Sequence, residues 1–138
     1  MDYRQMTAPC GIDCFNCAMY AARKNDELRR KIAKNMNLTF EDAVCDGCRT
    51  QQGMCSAHSL LESCNVYKCI TKKGLDFCFE CADFPCDFLH PYADQASIRP
   101  HNTKIFNLCL MKKMGVETWA EKKAKKVRDT YFKEKFKL

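Results

Sequence analysis

Hydrophobic residues fall at helical spacing in two parts of the chain and lose that spacing between them. In the first part, Leu28, Ile32, Ala33 and Met36 share one helical face, the pattern that turns one side of a helix inward. Asn25 before Asp26 and Glu27 reads as an N-cap with acidic residues where the helix dipole favours them. Asn37 reads as the stop, so a helix is predicted over 26–36. Upstream, Ala18 to Lys24 has helical composition and the first nine residues read as an extended lead-in. In the second part, Asn102 opens a helix through Met114, with Ile105, Leu108 and Cys109 on one face and Phe106 and Leu110 beside them. Gly115 suits the position just after the last turn. A further helix from Val116 puts Ala120, Ala124, Val127 and Tyr131 on one stripe, with Trp119 adjacent and lysines opposite.

From Leu38 to about Pro91 little periodicity survives, and cysteines recur every few residues. Such a segment cannot build its own apolar core and needs staples. The expected fold class is therefore mostly α. Residues 1–138 should form one small domain of short helices around an irregular, metal-stapled lobe. Residues 10–91 form its cysteine-rich metal-binding region, and residues 100–138 a helical region with a basic tail.

Composition narrows the function. Hydrophobic residues at 46% and aromatics at 11% argue against disorder. No apolar run approaches the ~18 residues of a membrane span, which predicts no membrane partner. The opening Met-Asp-Tyr-Arg-Gln-Met lacks the basic-then-apolar pattern of a signal peptide, so a cytoplasmic location is expected. Five scattered glycines leave no phosphate-cradling loop, which excludes a nucleotide enzyme with a standard fingerprint. The net charge of +6 sits entirely in residues 112–138, where ten Lys/Arg face four Asp/Glu. Eleven thiolates holding three divalent ions would bring the total to about +1, so overall charge is a poor argument for nucleic acid.

The chemistry lies in twelve cysteines. Cys14/Cys17, Cys45/Cys48 and Cys78/Cys81 are Cys-x-x-Cys pairs, and Cys55-Ser-Ala-His58 repeats the spacing with an imidazole. Two intervening residues let one turn aim both ligands at a single ion. Asp46-Gly47 suits that turn through the positive φ of glycine, and Asn16 is expected to take the equivalent conformation in the first pair. Cys10, Cys14, Cys17, Cys45, Cys48, Cys55, His58, Cys64, Cys69, Cys78, Cys81 and Cys86 are the candidate metal ligands. These twelve suffice for three four-coordinate ions, and two sites with leftover cysteines fit equally well. The expected pairing joins Cys14/Cys17 to Cys45/Cys48, and Cys69 and Cys86 to Cys78/Cys81. Disulfides suit a secreted chain better, and no βαβ unit is present to carry a thioredoxin-like motif.

Zinc in two or three structural sites is the leading cofactor. An iron–sulfur cluster is the alternative, because Cys10-x-x-x-Cys14-x-x-Cys17 matches the spacing by which radical-SAM enzymes hold a cluster. The chain is too short for their barrel, and the ferredoxin cysteine run is absent. Cys109, on an apolar stripe, reads as a small buried hydrophobe, and His90 and His101 as polar loop residues. Phe77, Phe79, Phe84 and Phe88 surround the last cysteine cluster and are expected to shield it. Lys122, Lys123, Lys125 and Lys126 read as a solvated face. Interleaving with Tyr131, Phe132 and Phe136 keeps nucleic acid open as a partner, beside a protein partner. No His-Glu-x-x-His or cysteine–histidine trio supports catalysis.

Cys10-Gly11-Ile12-Asp13-Cys14-x-x-Cys17, Asn25-Asp26-Glu27-Leu28, Cys45-x-Gly47-Cys48-Arg49, Cys64-x4-Cys69, Lys73-Gly74 and Cys78-x-x-Cys81-x-x-Phe84-Pro85-Cys86 occur in order. This ordered set resembles domain-of-unknown-function family 3795 over residues 10–89. The stretch His101 to Trp119 resembles the region that often follows. The resemblance implies a small prokaryotic cytoplasmic protein that binds metal, and it supplies no reaction.

Overall fold

The computed structural model describes residues 1–55 and 62–138. Helix α1 spans Ala18–Ala21 and tightens into a 3-10 turn over Ala22–Lys24. Helix α2 spans Asp26–Met36, as its period requires: Asn25 Oδ1 accepts from the Leu28 N–H at 3.0 Å, and Asn37 ends it in the left-handed region. Its Ile32 packs with Met19, Ala22 and Ala43 in a small apolar cluster.

Helix α3, Asn65–Lys73, lies in the stretch read as irregular. Its cap is a cysteine: the Cys64 sulfur accepts from the Tyr67 N–H at 3.4 Å. Gly74 closes the helix at φ 64. Ile70 is buried in the main core and Val66 packs against it. Val66, Cys69 and Ile70 stand at helical spacing, but Cys69 reads on sequence as a candidate ligand rather than as part of an apolar stripe.

After a 3-10 turn at Pro100–Thr103, helix α4 runs over Lys104–Met114. Gly115 at φ 84 then leads into α5, Val116–Trp119. A π-helical turn over Ala120–Ala124 joins α5 to α6, Lys125–Lys133. The inward face of α4 is Lys104, Asn107, Leu108 and Met111. Cys109 is exposed, which corrects its reading as a buried hydrophobe. The rotation follows from hydrogen bonding. Asn107 Nδ2 donates to the Gly11 carbonyl at 2.9 Å, and Trp119 Nε1 donates to Asn107 Oδ1 at 3.2 Å. A buried amide must be satisfied, so Asn107 decides which face turns inward.

Phe77, Leu89, Leu108, Met111 and Trp119 form the main core. Fully burying side chains such as Phe77 and Leu108 contributes about 1.5–3 kcal/mol each. Around it the amino-terminal cysteine loop is clasped by the carboxy-terminal helices. Arg128 reaches back to Asp13, with Nη2–Oδ1 at 2.5 Å and Nε–Oδ2 at 2.9 Å. Gly11 sits at φ 91 where a Cβ would lie 2.8 Å from the Lys104 carbonyl oxygen, so only glycine lets the loop approach α4. The mostly α class stands, and no strand element occurs among the described residues.

Candidate thiolate metal centre

Four cysteines from three segments line one cavity of about 290 Å³. Cys69 comes from α3, Cys78 and Cys81 flank a 3-10 turn, and Cys86 precedes another. These are the four cysteines grouped on sequence as candidate ligands of one ion. The turn is held from beneath, because Glu80 accepts from the Asp76 and Phe77 N–H groups at 2.8 and 3.1 Å. The Cys78 N–H donates to the Pro9 carbonyl at 3.0 Å and moors the cluster to the amino-terminal loop. Val66, Ile70, Phe84, Phe88 and Leu89 complete the wall. Phe77 lies in the core with Phe79 stacked on it at 5.4 Å, so the four phenylalanines divide between core and cavity wall.

One cation stands on the rim. Lys73 Nζ donates to Asp83 Oδ2 at 2.6 Å and to Cys81 Sγ at 3.0 Å. The bond to Asp83, then that to Cys81, holds the ammonium above its ordinary range, and Lys73 holds the Asp83 carboxyl below its own. Loss of water pushes the Cys78 thiol up to about 12, helped by the sulfurs of Cys10, Cys86, Cys69 and Cys81. Lys73-Gly74 is visible in the sequence only as part of the resemblance. Its approach to Cys81 depends on α3, the helix that periodicity does not show.

The other predicted ligands gather upstream. Cys17, Cys45 and Cys55 pack against the Met19, Ala22, Ile32 and Ala43 cluster. Cys45 donates to Gln51 Oε1 at 2.9 Å, and the Gly47 N–H donates to the Cys45 sulfur at 3.4 Å. A hydrogen bond with Cys55, followed by burial, raises the Cys45 thiol. Cys10 packs against the main core; burial raises Cys10 and Cys48, and pushes Cys14 up to about 12. His58 lies outside the described residues. Gly47 adopts φ 93 as expected. Asn16 does not: it ends the 3-10 turn Cys14–Asn16, where its Nδ2 donates to Asp13 Oδ2 at 3.0 Å. That bond serves the Arg128 pair and removes the need for a left-handed residue.

Among the described residues, no three Cys, His, Asp or Glu side chains are already drawn into a shell around one point. The donor chemistry nonetheless fits a thiophilic ion, since soft sulfurs dominate each gathering and backbone N–H groups address several of them. Cys109 stands apart on the exposed side of α4. His90 is exposed, 3.6 Å from Asp87. On α6, Lys125 and Lys133 pair with Asp129 at 2.5 and 2.7 Å, which offsets part of the basic stripe.

Fold and site together define a small, cysteine-rich, mostly α protein. It belongs to the family described as Protein of unknown function (DUF3795), which matches residues 6–91. No curated protein and no solved structure matches the chain. No helix among the described residues is long and apolar enough to cross a membrane.

Proposed function

We propose that this protein is a structural metal-binding module in which zinc held by cysteine thiolates organises the 10–91 region for contact with a protein partner. The observation that carries this reading is the convergence of Cys69, Cys78, Cys81 and Cys86 on one cavity. Four thiolates complete the tetrahedral shell of zinc and leave no position for substrate, so the role is structural. When bound, the ion supplies folding free energy to a segment with little core of its own. Lys73 donates to one sulfur and offsets the negative charge of a four-thiolate centre, as outer-shell donors do.

An iron–sulfur cluster is the second reading, favoured by space. The four thiols line a cavity of about 290 Å³ without being drawn to one point, and a cluster also takes four thiolates. Elemental analysis of anaerobically purified protein, with its visible absorption spectrum, separates the two. Two or three zinc ions per chain and no visible band support the zinc module. Iron with matching sulfide and a charge-transfer band supports the cluster, and absence of both metals refutes both readings.

The zinc reading also sets a pH dependence. With Cys78 pushed up to about 12, the metal-free thiol is protonated at neutral pH, and binding must eject that proton. Zinc affinity is therefore expected to fall at least about tenfold per pH unit on going from pH 8 to pH 6. Competition titrations against a chromophoric chelator measure this, and a flat profile contradicts it.

A further inference from the structure

Helix α4 turns large apolar side chains away from the core as well as towards it. With Asn107 and Leu108 facing inward, Phe106 is left 58% exposed and Leu110 only partly buried. Both line a groove of about 430 Å³ whose other wall is Val127 and Tyr131 of α6. Lys126 of α6 and Lys123 of the preceding π-helical turn complete that wall. A single π-helical turn within a helix often marks a functional site. The carboxy-terminal Phe136 is 88% exposed, so the end of the chain does not fill the groove.

The charge on that wall indicates what would. Asp129 holds both Lys125 and Lys133, whereas Lys123 and Lys126 are exposed and pair with no carboxylate among the described residues. Tyr131, in the same wall, has its hydroxyl buried with no hydrogen-bond partner among the described residues, so the wall also lacks an acceptor. An apolar floor beside two unpaired cations complements an apolar side chain flanked by carboxylates. Nucleic acid fits less well. Phosphates need cations that follow a strand, and Asp129 neutralises two of the lysines of α6. A small molecule is usually covered over most of its surface, while the exposure of Phe106 leaves this groove open.

We propose that the groove between α4 and α6 docks an acidic segment of a partner protein, which seats one large apolar side chain against Phe106 and sets neighbouring Asp or Glu residues on Lys123 and Lys126. The groove lies outside residues 10–91, so this inference stands apart from the metal reading. A random peptide library displayed on phage is selected on the immobilised full-length protein, and enriched sequences are remade as fluorescent peptides for anisotropy titration. They are expected to place Asp or Glu beside Leu, Phe or Trp. Phe106→Ala should weaken their binding about thirtyfold, the scale of a central interface anchor. Lys123→Gln combined with Lys126→Gln should weaken it about fivefold at low salt, the scale of two exposed ion pairs, and should flatten its salt dependence. Ile98→Ala, at an apolar residue 67% exposed outside the groove, should bind like the parent. No enriched consensus, a consensus without acidic residues, or binding unchanged in either groove variant overturns the proposal. Dimers in sedimentation that Phe106→Ala abolishes overturn it in favour of a second copy of this chain. Binding of a single-stranded oligonucleotide that depends on Phe106, in place of peptide binding, overturns it in favour of nucleic acid.

Discussion

Replacing Arg128 with alanine is expected to cost about 3–5 kcal/mol of stability, the range for removing one partner of a buried ion pair. The Asp13 side chain is only 2% exposed and accepts both arms of the guanidinium fork, at 2.5 and 2.9 Å. Without Arg128 it keeps the Asn16 amide as a side-chain partner at 3.0 Å, and a buried carboxylate without its cation is strongly unfavourable. Single domains hold roughly 5–15 kcal/mol in all, so the variant should approach the unfolding threshold. Arg128→Lys should recover little, because an ammonium cannot present two parallel donors to one carboxylate. Urea unfolding of the protein as purified measures both. A loss under about 1 kcal/mol, the scale of an exposed pair, would mean that Asp13 is solvated. One practical consequence concerns the basic tail. Deleting residues 120–138 also removes Arg128, so nucleic-acid binding is better probed by Lys→Gln changes at the exposed Lys122, Lys123, Lys125 and Lys126.

The limits of sequence reading here follow from where each determinant lies. Helix α2 is legible because cap, acidic first turn, apolar stripe and stop are all local, and each agrees with the others. Helix α3 is not legible, because its cap is a sulfur and its burial depends on Phe77 and the distant α4–α5 pair. The extent of α4 is legible, since Gly115 marks its end, but its rotation is not. That is decided by Asn107 contacting a carbonyl 96 positions away, which no local period encodes. Lysine is almost never fully buried unless paired, yet Lys104 is only 6% exposed.

The cysteine site divides in the same way. Spacing singles out Cys69, Cys78, Cys81 and Cys86 as candidate ligands within a short span of chain, and in the fold the four line one cavity. Spacing says nothing of the Cys48–Gly53–Cys64 ladder, whose backbone hydrogen bonds join separate turns. The family match ends at residue 91, yet Asn107 and Arg128 hold Gly11 and Asp13 in place. The carboxy-terminal helices are therefore part of the scaffold of the cysteine loop, which reading them as an appended basic tail misses.

Stripping the metal is expected to have a larger effect still. Structural zinc supplies on the order of 10–16 kcal/mol of folding free energy per site in peptide systems, as much as the whole stability of an ordinary domain. The segment most exposed to that loss is the cavity region, where α3 and the turns at Cys78 and Asp87 bury few apolar residues of their own beyond Ile70, Phe77 and Leu89. A strong chelator should therefore remove the helical circular dichroism of α3 and open residues 62–91 to proteolysis, and zinc should restore both. Two serine variants separate metal loss from general thiol chemistry. Cys78→Ser removes a buried sulfur at the cavity and should reproduce much of the chelator effect. Cys109→Ser alters an exposed thiol outside every gathering and should stay within about 0.5 kcal/mol of the parent, as surface substitutions do. Native circular dichroism and protease resistance after verified metal removal would show that the core around Phe77 and Trp119 holds the cavity region without an ion. Equal melting losses in the two variants would show that burial of sulfur, rather than ligation, is what the fold requires of Cys78.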